Sequence, residues 1–136
     1  MSQFILHSQL EADSIWVCDL PLCQLRLHNQ KTVPWLILVP RRPDITEIYQ
    51  LNLVERAALM EEISLASKAL TTLYAPDKIN IAALGNMVAQ LHVHVIARYK
   101  TDEAWPNPIW GRITPEQYPT EAIDVILKKL KNALII

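Results

Sequence analysis

A chain of 136 residues with a formal net charge of −1, 51% apolar and 20% charged, has the profile of a folded globular protein rather than a disordered one. Its 13 Lys and Arg form no basic stripe of the kind that tracks nucleic acid, and its only two glycines, Gly85 and Gly111, exclude the clustered-glycine phosphate cradles of dinucleotide-binding and P-loop folds. Any phosphate chemistry must therefore rest on side chains and a helix end.

The length suits one domain over residues 1–136, with no repeat, linker or low-complexity tract. The N-terminal stretch MSQFILHSQLEADS lacks a basic n-region and a long apolar core, and the longest aliphatic run, WLILV, is too short to span a bilayer, so a cytoplasmic protein without membrane attachment is expected. Cys18 and Cys23 are too far apart for a Cys-x-x-Cys redox pair and too few for a disulfide framework, and read as ordinary thiols.

In chain order, segments rich in β-formers predict strands over 14–20, 23–28, 35–40, 78–84 and 90–99. Between the third and fourth, Asp44 with Glu47 and Asn52 with Glu55 each have the spacing of a capping box. A long helix is predicted after Asn52, with Leu53, Ala57, Met60, Ile63, Leu70 and Leu73 facing the sheet and Ala75-Pro76-Asp77 ending it. Residues 102–118 are irregular and hold Trp105, Trp110 and three prolines, a density that suggests a pinned connection. A last helix is predicted from a Thr120 cap to about Leu134, with Ile123, Ile126, Leu127 and Leu130 on one side. The lysines at 128, 129 and 131 suit its C-terminal dipole. Five short strands would make one sheet, with the apolar face of the long helix covering it.

Two of the four histidines fall two residues apart in the run QLHVHVI, residues 90–96. On a strand, alternation sets Gln90, His92 and His94 on one face and Leu91, Val93 and Val95 on the other. Three readings compete for that row. The imidazoles can hydrogen-bond across an exposed sheet face; they can chelate a metal, although no third ligand is evident and a catalytic zinc usually has three; or a neutral imidazole, His92, can attack phosphorus with its other ring nitrogen held by a carbonyl while its neighbours orient the phosphate. An unperturbed pKa of about 6.5 leaves such a group substantially neutral near pH 7. His7 and His28 read as core or surface residues, His28 by strand parity on the opposite face, and Asp19 and Arg98 as members of structural ion pairs.

The stretch resembles the histidine triad (HIT) family, whose signature is His-φ-His-φ-His-φ-φ with φ apolar. Here Gln90 stands at the first position, His92 at the middle one and His94 at the third. The resemblance extends over most of residues 19–99: LHNQKTVPWLILVPRRP looks like the family's paired strands ending in Val-Pro-Arg, followed by a capped helix, a strand and a turn before the histidines. It implies a homodimeric α+β protein, a five-stranded, mostly antiparallel sheet packed with one long helix and a C-terminal helix, that binds a purine nucleotide and cleaves a phosphoramidate or phosphoanhydride bond through a nucleotidyl-histidine intermediate, with no cofactor and no obligatory metal. It assigns nucleophilic attack to His92, support to His94 and to Gln90 through its backbone carbonyl, ribose contacts to Asn29, and the phosphate-side loop to Gly85 and Asn86. Met87 stands where many members carry a hydroxyl that contacts the leaving group, and Trp35 where many carry a histidine. These departures define the alternative expectation, a nucleotide-binding or scaffold protein with weak catalysis, and Trp105 or Trp110 is expected to close the pocket or reach a second subunit.

Overall fold

The computed structural model describes residues 3–134. Its elements run α1 (Ser8–Asp13), β1 (Ser14–Asp19), β2 (Cys23–His28), β3 (Trp35–Pro40), a 3-10 turn (Ile48–Gln50), α2 (Leu53–Tyr74), β4 (Lys78–Ala82), β5 (Val93–Arg98) and α3 (Thr120–Ala133). The five strands form one sheet in the order β1-β2-β3-β5-β4, with every pairing antiparallel.

Both faces of this sheet are covered, and the register states which residues go where. Leu36 pairs with Val95 and Leu38 with Val93, and these face the core beneath α2 and α3 together with Leu25 and Leu27. One residue along, Trp35 pairs with Ile96 and Ile37 with His94, and these face a second core closed by Leu10, Val88, Ala104 and Ile109. That explains why β3 and β5 read as unbroken apolar runs rather than alternating ones.

α2 begins with the predicted capping box: Asn52 Oδ1 accepts from Glu55 N at 2.8 Å and Glu55 Oε1 from Asn52 N at 2.9 Å. It ends at Ala75, whose φ of 44° is left-handed. Its buried face differs from the one expected. Leu59, Ile63, Ala66 and Leu70 meet the sheet, while Leu53, Val54 and Met60 stay exposed, at 73%, 77% and 61%. The helix is apolar on more than one side, and Ala66 and Ala69 permit the closest approach. Glu62 on the buried face accepts from Leu22 N and Cys23 N, each at 2.8 Å, and so fastens the β1–β2 turn to α2.

Other expectations are corrected in detail. Asp44 caps no helix; its φ is 57°, and the turn after it is capped by Glu47 and Gln50. The N-cap of α3 is Pro119, without a side-chain bond, so Thr120 is the first helical residue. Asp19 accepts from the Trp16 indole and forms no salt bridge among the described residues, whereas Arg98 does pair, with Asp102. β5 starts at Val93, not at residue 90. Continued in register, Leu91 would face Pro40, which has no N–H to offer, and Leu91 N donates instead to Ile45 O at 2.9 Å. α1 was not anticipated at all.

Residues 102–118 are held by one buried ion pair. Arg98 reaches Asp102 through Nε at 2.8 Å and Nη2 at 3.0 Å, and also binds Asn80 Oδ1 and Asn107 O. Asp102 in turn accepts from the main-chain N–H groups of Tyr99, Ala104 and Trp105; burial pushes its carboxyl up, but the Arg98 bond and those from Tyr99 and Trp105 outweigh this and hold it below the usual range. Removing one partner strands the other charge in a dry setting. Asp102→Ala should cost about 3–5 kcal/mol of stability, read as a lowered urea midpoint, and a loss under 1 kcal/mol would show that the pair does not organise this segment.

Candidate active site

His92 and His94 lie on the second-core face, with ring centroids 4.9 Å apart. Each is held by a different partner. His92 Nδ1 sits 2.7 Å from Gln90 O. A carbonyl oxygen only accepts, so Nδ1 carries the proton and the free lone pair of the neutral ring is on Nε2. His94 Nδ1 lies 2.9 Å from the indole Nε1 of Trp35. An indole N–H only donates, so Nδ1 of His94 accepts and its proton is on Nε2. The two neutral imidazoles are thus fixed in opposite tautomers, one offering a lone pair and the other a donor.

Both rings line a cleft of about 610 Å³. Leu10, Trp35, Ile37 and Trp110 give it a largely apolar lining, and Gln9 and Asp13 come from α1. Trp110 packs edge to face on His94 at 5.1 Å and on Trp35 at 5.7 Å, while His28 lies tilted against Trp35 at 4.2 Å. Gly85, at φ 76°, and Asn86 border the same cleft, and Met87 beside them is 96% exposed. His92 also borders a second hollow, of about 230 Å³, formed with Glu47, Tyr49, Leu84 and Gly85. His92 therefore stands between two spaces.

The structure brings together His92, His94, Gly85 and Asn86, and leaves two expected residues outside the cleft. Gln90 contributes its backbone carbonyl, but its side chain turns to residues 5 and 7, so the predicted row of three is a pair. Asn29 does not line the cleft; its Oδ1 accepts from Tyr118 N at 2.9 Å and ties β2 to the segment before α3. Its neighbour His28 points the other way and lies in the cleft wall, contrary to the parity reading, with a buried Nδ1 that has no hydrogen-bond partner. The signal was present in the sequence: Leu25 and Leu27 belong under α2, which sends His28 to the face of the paired histidines. Trp110 lines the cleft, while Trp105 stacks near the Arg98 guanidinium at 5.7 Å. Among the described residues, no three His, Cys, Asp or Glu side chains come together as a metal site, and no helix is long and apolar enough to cross a membrane.

The HIT domain family profile matches residues 9–101. The chain belongs to the histidine triad family. No curated protein matches it in sequence. Among solved structures, it is similar to a histidine triad protein of Bradyrhizobium japonicum at 45% identity and a TM-score of 0.95, covering 98% of this chain and 100% of that one. It is similar to another from Marinobacter aquaeolei at 44% identity and 0.94, covering 98% and 97%, and to one from Sinorhizobium meliloti at 44% and 0.92, covering 96% of each.

Burial, together with the nearby His92 and His28, pushes His94 down to about 3, and burial lowers His28 as well. An imidazole whose folded pKa lies below its unfolded value near 6.5 takes up a proton more readily when unfolded. Its stabilisation is complete above about 6.5 and is lost as the pH falls toward the folded pKa. Between pH 6.5 and 5, His94 alone should cost about 2 kcal/mol. Urea unfolding across this range should show that slope, reduced in His94→Phe; an identical slope in the variant would place its origin elsewhere.

Proposed function

We propose that this protein is a nucleotide hydrolase that cleaves a phosphoramidate or phosphoanhydride bond of a purine nucleotide through a nucleotidyl-histidine intermediate. The observation that carries the reading is the pair of locked tautomers: an Nε2 lone pair on His92 next to an Nε2–H on His94, in one cleft. Family membership supports the nucleotide as substrate, and the aromatic and apolar lining supports a base seated away from the phosphate.

In the first step the His92 Nε2 lone pair attacks the α-phosphorus, and the bond to the leaving group breaks with its electron pair passing to that group, which takes a proton. The ring becomes cationic, and the Gln90 carbonyl at Nδ1 stabilises it. His94 Nε2–H donates to the phosphoryl oxygen as charge builds there. Water then attacks phosphorus, giving up to solvent a proton that balances the one the leaving group took from it, the electron pair of the phosphorus–nitrogen bond returns to Nε2, and the nucleoside monophosphate leaves. Trp35 carries no titratable proton, so it keeps His94 in the donor tautomer at every working pH. Gly85 and Asn86 supply the loop along the phosphate side.

The test is release of nucleoside monophosphate from adenosine and guanosine phosphoramidates and dinucleoside polyphosphates. His92→Ala should lower turnover on the order of 10³-fold or more. Equal rates in the variant would remove His92 as nucleophile, and wild-type protein that binds nucleotide without turnover would favour the binding-module reading.

The working unit in this reading is a homodimer. β4 is an outer strand of the sheet, its Ile81 is 51% exposed, and α2 leaves Leu53, Val54 and Met60 uncovered, an arrangement that a second copy can pair with and bury. Sedimentation should give a dimer at micromolar concentration and a monomer for Ile81→Lys with Met60→Lys. A monomeric wild type would eliminate this assembly.

A further inference from the structure

At the first position of the motif, Gln90 makes two bonds that a histidine there could not make together. Its carboxamide Oε1 accepts from His7 N and its Nε2 donates to Ile5 O, both at 2.8 Å. The O of one residue and the N–H two residues on project from the same edge of an extended segment, as they would toward a neighbouring strand. A primary amide presents its acceptor and donor side by side, like a peptide group, whereas the two ring nitrogens of an imidazole diverge.

The contacts continue into the cleft. His7 turns its ring to the start of α1, where Nδ1 accepts from Gln9 N at 3.0 Å, and the first turn closes from Glu11 N to His7 O at 3.1 Å. α1 then gives Gln9, Leu10 and Asp13 to the cleft wall. The far end of α1 runs straight into β1 and is tied by Asn29 N to Asp13 O at 3.0 Å. Only the near end depends on residues 5–7. Meanwhile the main-chain oxygen of the same Gln90 orients His92.

We propose that Gln90 is a positioning residue that couples the nucleophile to the substrate-binding wall: its backbone carbonyl orients His92, and its carboxamide staples residues 5–7 so that α1 stands at a fixed distance from that ring. The proposal rests on the hydrolase reading for its kinetic arm. It gives the glutamine side chain a part in holding nucleotide, and treats its presence at a histidine position as an exchange of roles rather than the loss of one.

The decisive variant is Gln90→His, which installs the family's usual residue and keeps the backbone carbonyl. Affinity for AMP, read by calorimetry, should weaken about tenfold, equivalent to about 1.4 kcal/mol. With a nucleoside phosphoramidate, kcat/KM should fall by a similar factor carried by KM, and exchange of the His7 amide hydrogen should accelerate. A second pair separates the main-chain bond from the ring of His7. Its φ of −59° suits proline, so His7→Pro deletes the N–H while His7→Ala deletes only the ring. The proline variant should lose more affinity than the alanine one, and combining it with Gln90→His should add little. The proposal is overturned if Gln90→His leaves AMP affinity and KM within twofold of wild type, if its loss lies wholly in kcat, or if the two substitutions add. Wild-type protein that binds AMP without turnover would sink the hydrolase reading, while the affinity and exchange measurements would still decide the staple.

Discussion

Strand β5 is buried along its whole length because both faces of the sheet around it are covered. The other features of the site depend on that double burial. One face, with Val93, Val95 and Ala97, is spent on the core beneath α2 and α3. The opposite face is dry enough to strip the histidines of ordinary solvation, so that their behaviour is set by fixed partners instead of water. Uncovered, the same side chains would titrate and rotate as surface groups.

Fixed partners matter because an imidazole is chemically ambiguous until one nitrogen is claimed. A carbonyl claims Nδ1 of His92 and an indole claims Nδ1 of His94, and since one partner can only accept and the other only donate, the rings emerge with opposite character. Neither assignment requires a charged group. His94 held this way keeps its donor character across the pH range in which a carboxylate–histidine couple would change, and its depressed pKa agrees with a ring kept neutral.

Much of this was legible in the sequence, for identifiable reasons. β2 and β3 were read to the residue, the Asn52–Glu55 cap was read from spacing alone, and five strands in one sheet followed from β-rich segments, with their antiparallel pairing implied by the family resemblance. Errors arose where a decision belonged to tertiary packing. The buried side of α2 could not be chosen from a helix apolar on more than one side. β5 was extended three residues too far because its end is set by Pro40 on another strand. α1 has only six residues, and its N-terminus depends on a ring two positions upstream and an amide from residue 90. His28 was set on the wrong face for want of the parity argument that Leu25 and Leu27 supply. The tautomer of His94 was invisible because it depends on Trp35, 59 positions away.

The two outer strands of the sheet are not equivalent. In β1 the pairing with β2 slips between Trp16 and Cys18, which leaves Val17 as an extra residue and bends that border away from a flat ladder. β4 keeps an unbroken register with β5 from Lys78 to Ala82. A sheet with one regular border and one distorted border can extend across the first by adding a single neighbour, but it offers no second regular border from which to continue. The bulge in β1 therefore makes that border a poor template for a further strand.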